Sequence, residues 1–228
     1  MPAASAKKRP RLGPGRLSAE DAAELPDRLL DAALVLFSEH GFSGTSMDHI
    51  AKKAGASTKT LYSRFNNKAE ILEAVIMRNV QRTVADVLRG FALRPEESEP
   101  REYLTKFAMQ IGVANLSEET AGIIRVSFSE GHRFPVLARL YRETTGRGVE
   151  AIANALRLWR DSGKLEFDED PRDLAKLAFG ALTDGMRIRA VMGDPMPRSE
   201  LLRHIDLGVD VFLRGIKPEK PRKTRRRK

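Results

Sequence analysis

Between positions 57 and 64, the side chains Ser57, Thr58, Lys59, Thr60, Ser63 and Arg64 supply short hydrogen-bonding groups and two cations without a single acid. Hydroxyl, ammonium and guanidinium donors clustered in this way suit the phosphate oxygens and base-edge acceptors of a polyanion. Two of them also have plainer uses, Ser57 as a helix N-cap and Arg64 as one half of a surface ion pair. Groupings suited to covalent or metal chemistry are weaker. His40 and His49 are too far apart for the i, i+4 pair that binds a metal on one helix, and His204 and Asp206 leave a helix in different directions. The absence of cysteine removes disulfides, thiolate zinc sites, iron–sulfur clusters and cysteine nucleophiles together. Gly146-Arg147-Gly148 lacks the preceding strand and the third glycine of a dinucleotide loop, and no serine sits in a nucleophile elbow. The sequence therefore implies no metal, no cofactor and no enzyme activity.

A donor cluster needs a rigid carrier, and the flanking residues describe one. Leu30, Ala33, Leu34 and Phe37 recur at i, i+3, i+4, i+7 and predict an amphipathic helix over 26–41, ending at His40-Gly41. Thr45-Ser46-Met47-Asp48 reads as a capping box opening a short helix, with Met47, Ile50, Ala51 and Ala54 on one face and Gly55 as its stop. Ser57 then caps a third helix that turns Leu61 and Phe65 inward, and Asn67 with Glu70 opens a long fourth helix to about Gly90. Two short helices joined by a glycine turn, locked by apolar residues and leaving one polar face free, meet the mechanical requirements of a helix-turn-helix, here at about 46–65.

The stretch 29–75 carries Phe37-Ser38-Glu39-His40-Gly41-Phe42, Thr45-Ser46-Met47-Asp48-His49-Ile50-Ala51, Ala54-Gly55 and Leu61-Tyr62-Ser63-Arg64-Phe65-Asn66-Asn67-Lys68. In that order these residues resemble the TetR family of one-component regulators. Arg133-Phe134-Pro135 followed by Leu137-Ala138-Arg139 is similar to one of its subgroups. The resemblance implies a homodimeric regulator, usually a repressor, whose third helix reads the major groove of an operator and whose C-terminal domain holds a small-molecule effector. Position by position, it implies that Thr45, Tyr62 and Lys68 hold phosphates and that residues 57–60 read bases. Lys59 departs from the pattern, since many members have glycine there, so operator preference does not carry over. Tyr62 also has the alternative of packing sideways on the bundle with only its tip wet, and Lys68 that of a solvated cation.

Downstream, helical patterns occupy 101–116, 118–131, 135–162, 171–192 and 199–215, separated by Gly, Pro and Asp punctuation, with an acidic loop at 93–100. Gly146 and Gly148 predict a kink or a split in the 135–162 helix. From the aromatics and long apolar groups of the 101–162 region, which include Met109 and Tyr141, Tyr103, Phe107, Phe128 and Trp159, with the polar Asn79, Arg125 and His132, are the candidate effector-contacting residues, each equally able to serve as ordinary core or outer surface. Small and apolar residues on the last two helices, Leu174, Ala178, Ala181 and Gly185 with Ile205, Val209 and Phe212, predict an intermolecular four-helix bundle; packing within one chain is the alternative.

Charge is concentrated at the ends. Five cations precede position 17 without an acid, and residues 217–228 carry eight against Glu219, so that the body between is mildly acidic despite a net +9. Such Pro-, Lys- and Arg-rich arms either solubilise the chain or follow a nucleic acid. No apolar run is long enough for a membrane span, and nothing resembles a signal peptide, which predicts a cytoplasmic protein. The expected organisation is all-α: a disordered basic arm (1–24), a helix-turn-helix domain (25–85), a ligand-binding and dimerisation domain (86–216) and a disordered basic tail (217–228). Its expected partners are double-stranded DNA, a small-molecule effector and a second copy of itself. A DNA-binding regulator or architectural protein without an effector is the rival reading.

Overall fold

In the computed structural model, residues 19–90, 93–115 and 117–216 are described, and among them every regular element is a helix. The order is α1 (Ala19–Gly44), α2 (Met47–Lys53), α3 (Thr58–Tyr62), α4 (Lys68–Gly90), a single 3-10 turn (Pro95–Glu97), α5 (Pro100–Asn115), α6 (Glu118–Glu130), α7 (Pro135–Asp161), α8 (Pro171–Val191) and α9 (Arg198–Gly215). The cations before position 17 and the tail from 217 lie outside the described residues.

Local chemistry sets most of these boundaries. Ser46, Ser57, Ser117 and Asp170 accept backbone N–H bonds at the starts of α2, α3, α6 and α8, and Pro135 and Pro171 occupy first-turn positions where no N–H is needed. At α4, Asn67 accepts from the Glu70 N–H at 3.0 Å, while the Glu70 carboxylate reaches back to the Asn66 N–H at 2.9 Å. Hydrogen bonds from the Asn66 side-chain amide, and then from its backbone N–H, hold the Glu70 carboxyl below the usual range.

Three expectations change. Helix α1 is already present at Ala19, ahead of the predicted start at Pro26, which lies inside it. Helix α7 runs unbroken through Gly146 and Gly148; a Cβ on Gly148 would lie 2.5 Å from Cε2 of Phe179, so this glycine serves close approach of α8 rather than a kink. The cap of α2 is Ser46, which accepts from His49 N at 3.2 Å, and not Thr45.

Packing forms two cores. One joins α1 to α4 through Leu29, Phe37, Ile50, Leu61 and Ile71, and it also takes in Ile123 and Val126 of α6 and Leu137 and Leu140 of α7. The other joins α5, the second half of α7, α8 and α9 around Leu104, Ile152, Trp159, Ala178 and Val209. The N-terminal core thus extends past position 86 and holds part of the C-terminal helices.

Candidate functional site

The polar face predicted at 57–64 is carried by α3 and the residues just beyond it. Gly55 takes φ +67, a left-handed value that only glycine adopts without strain, and turns the chain between α2 and α3. Buried Leu61 and half-buried Phe65 anchor the helix on the core. The Ser57 hydroxyl accepts from the Thr60 N–H at 3.0 Å and exchanges a 2.7 Å bond with the Thr60 hydroxyl. Thr58 donates to the Asp48 carboxylate at 2.9 Å, which fixes the first turn of α3 against α2. Ser63 donates to the Thr60 carbonyl at 2.7 Å. Lys59, Ser63 and Arg64 are exposed, and Tyr62 is 52% exposed rather than packed in the bundle. Lys52 and Lys53, exposed at the end of α2, add cations to this side that the motif reading passed over.

Two residues carried over from the family pattern face inward instead. The side chain of Thr45 is buried, at 2% exposure, and its hydroxyl donates to the carbonyls of Leu36 at 3.0 Å and Gly41 at 2.9 Å. It ties the loop to the end of α1, where Gly41 breaks the helix at φ +70, and offers no proton to a phosphate. The Lys68 ammonium donates to the carbonyls of Phe42 and Thr45 and lies 4.4 Å from the Phe42 ring centroid. Burial pushes its pKa down, with Glu130 opposing and Arg133 adding to the shift. In this arrangement Lys68 clamps the end of α1 to the start of α4.

The second feature is a cavity of about 400 Å³ at the junction of the two cores. Its walls come from α4 (Asn79), α5 (Tyr103, Phe107), α6 (Ile123), α7 (Tyr141) and α8 (Arg187). Of the residues predicted to contact an effector, Asn79, Tyr103 and Phe107 line it. Asn79 donates to the Val75 carbonyl at 2.9 Å, and burial, with Glu96 adding, raises the Tyr103 phenol to about 12. The other four do not line it. Trp159 is fully buried in the C-terminal core, donating from Nε1 to the Pro95 carbonyl at 2.9 Å and meeting Tyr103 edge-on. Arg125 pairs with Glu118 and reaches the Val191 carbonyl at 3.3 Å. Phe128 and His132 border a neighbouring hollow of about 280 Å³. Tyr141, one of the aromatics noted in the 101–162 region, lines the cavity as well, whereas Arg187 was missed because a helical period places a polar group within an apolar stripe without saying whether that stripe faces a void or a neighbour.

The predicted dimer residues also divide. Leu174, Ala178, Ile205 and Val209 are buried within their own chain, and Phe212 is partly so, whereas Ala181 and Gly185 are exposed. The uncovered stripe of α8 runs through Leu177, Ala181, Ile188 and Met192, and that of α9 through Leu207 and Val211; Met192 is 78% exposed and Leu177 67%. Among the described residues no helix is long and apolar enough to cross a membrane, and no three metal-ligating side chains are grouped.

The family model of bacterial regulatory proteins of the tetR family matches residues 29–75, and that of the AefR-like transcriptional repressor C-terminal domain matches 102–215. The chain belongs to the TetR family of transcriptional regulators. It is 27% identical to the HTH-type transcriptional regulator UidR of Escherichia coli strain K12 over 164 residues, 69% of this chain and 79% of UidR. A TetR-family regulator of Mesorhizobium loti superposes with a TM-score of 0.72 at 26% identity, over 87% of this chain and 98% of that one. The flavonoid-responsive regulator FrrA superposes with a TM-score of 0.63 at 29% identity, over 87% of this chain and all of FrrA. This TetR-family chain is thus a helix-turn-helix transcriptional regulator with an all-helical C-terminal domain.

Proposed function

We propose that the regulator is a repressor that binds a palindromic operator as a homodimer and is released by a small molecule seated in the 400 Å³ cavity. The observation that carries this reading is the position of α6. One side of this helix lines the cavity with Thr120, Ile123, Ile124 and Ser127. On another side Gly122 lies against Ser38 of α1, so closely that an added Cβ would collide with the Ser38 hydroxyl. A ligand that shifts α6 must therefore move the core that carries α3. The population moves toward a dimer whose recognition helices no longer stand about 34–36 Å apart, and DNA reciprocally weakens the ligand.

The dimer reading rests on the uncovered stripes of α8 and α9, exposed apolar surface of the kind that marks an interface. FrrA is described as flavonoid-responsive, which supports a small-molecule effector for the present chain.

Selection of bound sequences from random DNA, followed by footprinting over a salt series, tests the proposal. A short palindromic protection is the expected result. Spread, sequence-blind protection would favour an architectural role without an effector. Within the interface, Lys59→Ala is expected to change base preference at particular operator positions, by about 1–3 kcal/mol if a bidentate contact is lost. Tyr62→Phe is expected to weaken operator and mismatched DNA alike, because a phosphate contact carries no sequence information. An unchanged sequence logo for Lys59→Ala would take that residue off the reading face.

A further inference from the structure

The cavity wall has an uneven electrostatic composition. Its lining includes Arg147 and Arg187 and, among the described residues, no carboxylate. Arg187 pairs with Asp184 on its own helix, but Asp184 is half exposed and does not line the cavity. The Arg187 Nε is buried and finds no hydrogen-bond partner among the described residues. A buried guanidinium N–H left without an acceptor is costly, and an anionic oxygen is the group that best relieves it.

Tyr141 stands beside it. Arg187 lies over the Tyr141 ring, 5.2 Å from the guanidinium carbon to the ring centroid. That ring face is therefore already occupied by a cation. Burial raises the Tyr141 phenol, with Arg187 opposing and Asp184 adding, so the hydroxyl keeps its proton at neutral pH and is available as a second donor. Thr144 and Thr145 donate to the carbonyls of Leu140 and Tyr141, which commits their protons to α7 itself. Elsewhere the wall is mainly apolar, with Ile76, Phe107, Ile111, Ile123, Leu137 and Phe179, and its remaining polar side chains, Asn79, Thr83, Tyr103, Thr120 and Ser127, are uncharged.

We propose that the cavity takes an organic acid, a largely apolar molecule whose single anionic group, carboxylate or phenolate, meets Arg187 and Tyr141. Arg147, exposed at the rim, adds attraction without a fixed geometry. The proposal rests on the reading of this cavity as the effector site and narrows it to a charge class: anions are admitted, and cations such as quaternary ammonium compounds are refused.

Calorimetry on the full-length protein with five probes decides it. The probes are dodecanoate, 4-biphenylcarboxylate, the alcohols of the same two bodies, and dodecyltrimethylammonium below its micelle concentration. Each acid is expected to bind about tenfold or more tightly than its alcohol, the difference made by a hydrogen bond to a charged group. The ammonium is expected to bind least. Whichever acid wins reports whether the apolar body is a chain or a ring system. In Arg187→Met the preference for acid over alcohol is expected to vanish while alcohol binding persists, and Arg187→Lys is expected to restore part of it. Ile124→Trp, which fills the cavity, is expected to abolish binding of every probe. If the alcohols or the ammonium bind the wild-type protein as tightly as the acids, the charge class is overturned while the effector site stands. If no probe binds, the charge class and the effector site fall together. The comparison on the wild-type protein suffices even if Arg187→Met does not fold.

Discussion

Replacing Leu207 and Val211 with glutamate is expected to give a folded monomer that no longer holds a full palindrome, whereas Val209→Glu is expected to prevent folding. The three residues lie within five positions on α9, but on different faces. Leu207 and Val211 are more than half exposed, as are Leu177 and Ile188 of α8 and Met192 at its end, and Val209 is wholly buried among Leu201, Ile205 and the residues of α5 and α8. A carboxylate at Val209 has no partner there; burying it costs about 4–5 kcal/mol or more, a large fraction of the roughly 5–15 kcal/mol that holds a domain together. A carboxylate at Leu207 or Val211 stays hydrated in the monomer and is desolvated only when a second copy covers it. Sedimentation should show the double variant at the mass of one chain, with a cooperative melting transition lowered only by the lost stabilisation from the second copy. Its operator affinity should fall about 10²–10⁴-fold, the avidity lost when two half-sites are no longer held together. A double variant that remains dimeric would place the interface on another surface.

Lys68→Met is expected to lower the melting temperature of the regulator and to weaken operator and mismatched DNA together. The ammonium bonds the carbonyls of Phe42 and Thr45 and lies against the Phe42 ring. Methionine keeps the apolar stem and removes the donors, so the loss should be about 2–3 kcal/mol, or about 4–12 °C in a chain of this size. The pH dependence has a definite sign. Burial holds the folded pKa below the ordinary 10.5, so between that lowered value and 10.5 the unfolded chain binds more protons and stability rises with pH. The gap in stability between wild type and Lys68→Met should therefore widen as the solution is made alkaline. If Lys68 instead serves DNA alone, the melting temperature will not move, and the fall of log affinity with log salt will become shallower by about 0.9.

The same pair of residues shows where reading the sequence stops. Helix positions were legible because their causes are local: Ser57 three residues before Thr60, Asn67 before Glu70, and Pro135 and Pro171 at first turns act on backbone groups within one turn of themselves. The acid-free face at 57–64 was legible for the same reason, since α3 is short, capped at a known residue and anchored by Leu61 and Phe65, which leaves Lys59 and Arg64 outside. Thr45 and Lys68 were not legible in this way. Their partners, Leu36 and Phe42, lie nine and 26 residues away, and a hydroxyl or an ammonium is equally suited to a phosphate oxygen and to a carbonyl at a helix end.

The apolar pattern of α8 and α9 presents the same ambiguity on a larger scale. Helix α8 carries two apolar stripes, one through Leu174, Ala178 and Leu182 and the other through Leu177, Ala181 and Ile188, and its sequence does not say which meets the same chain. Only the packing of α5, α7 and α9 decides it, by covering the first and leaving the second bare. The cavity is likewise a product of tertiary structure. A void is what remains where Ile123 and Leu137 of one core and Phe107 and Phe179 of the other do not meet, and residues from five helices enclose it. By itself the sequence determined an all-helical DNA-reading chain, because capping and periodicity act over a few residues. The tertiary structure decided which polar groups face outward, which apolar stripe is left bare and where a void remains, because each of these depends on what chain-distant helices cover.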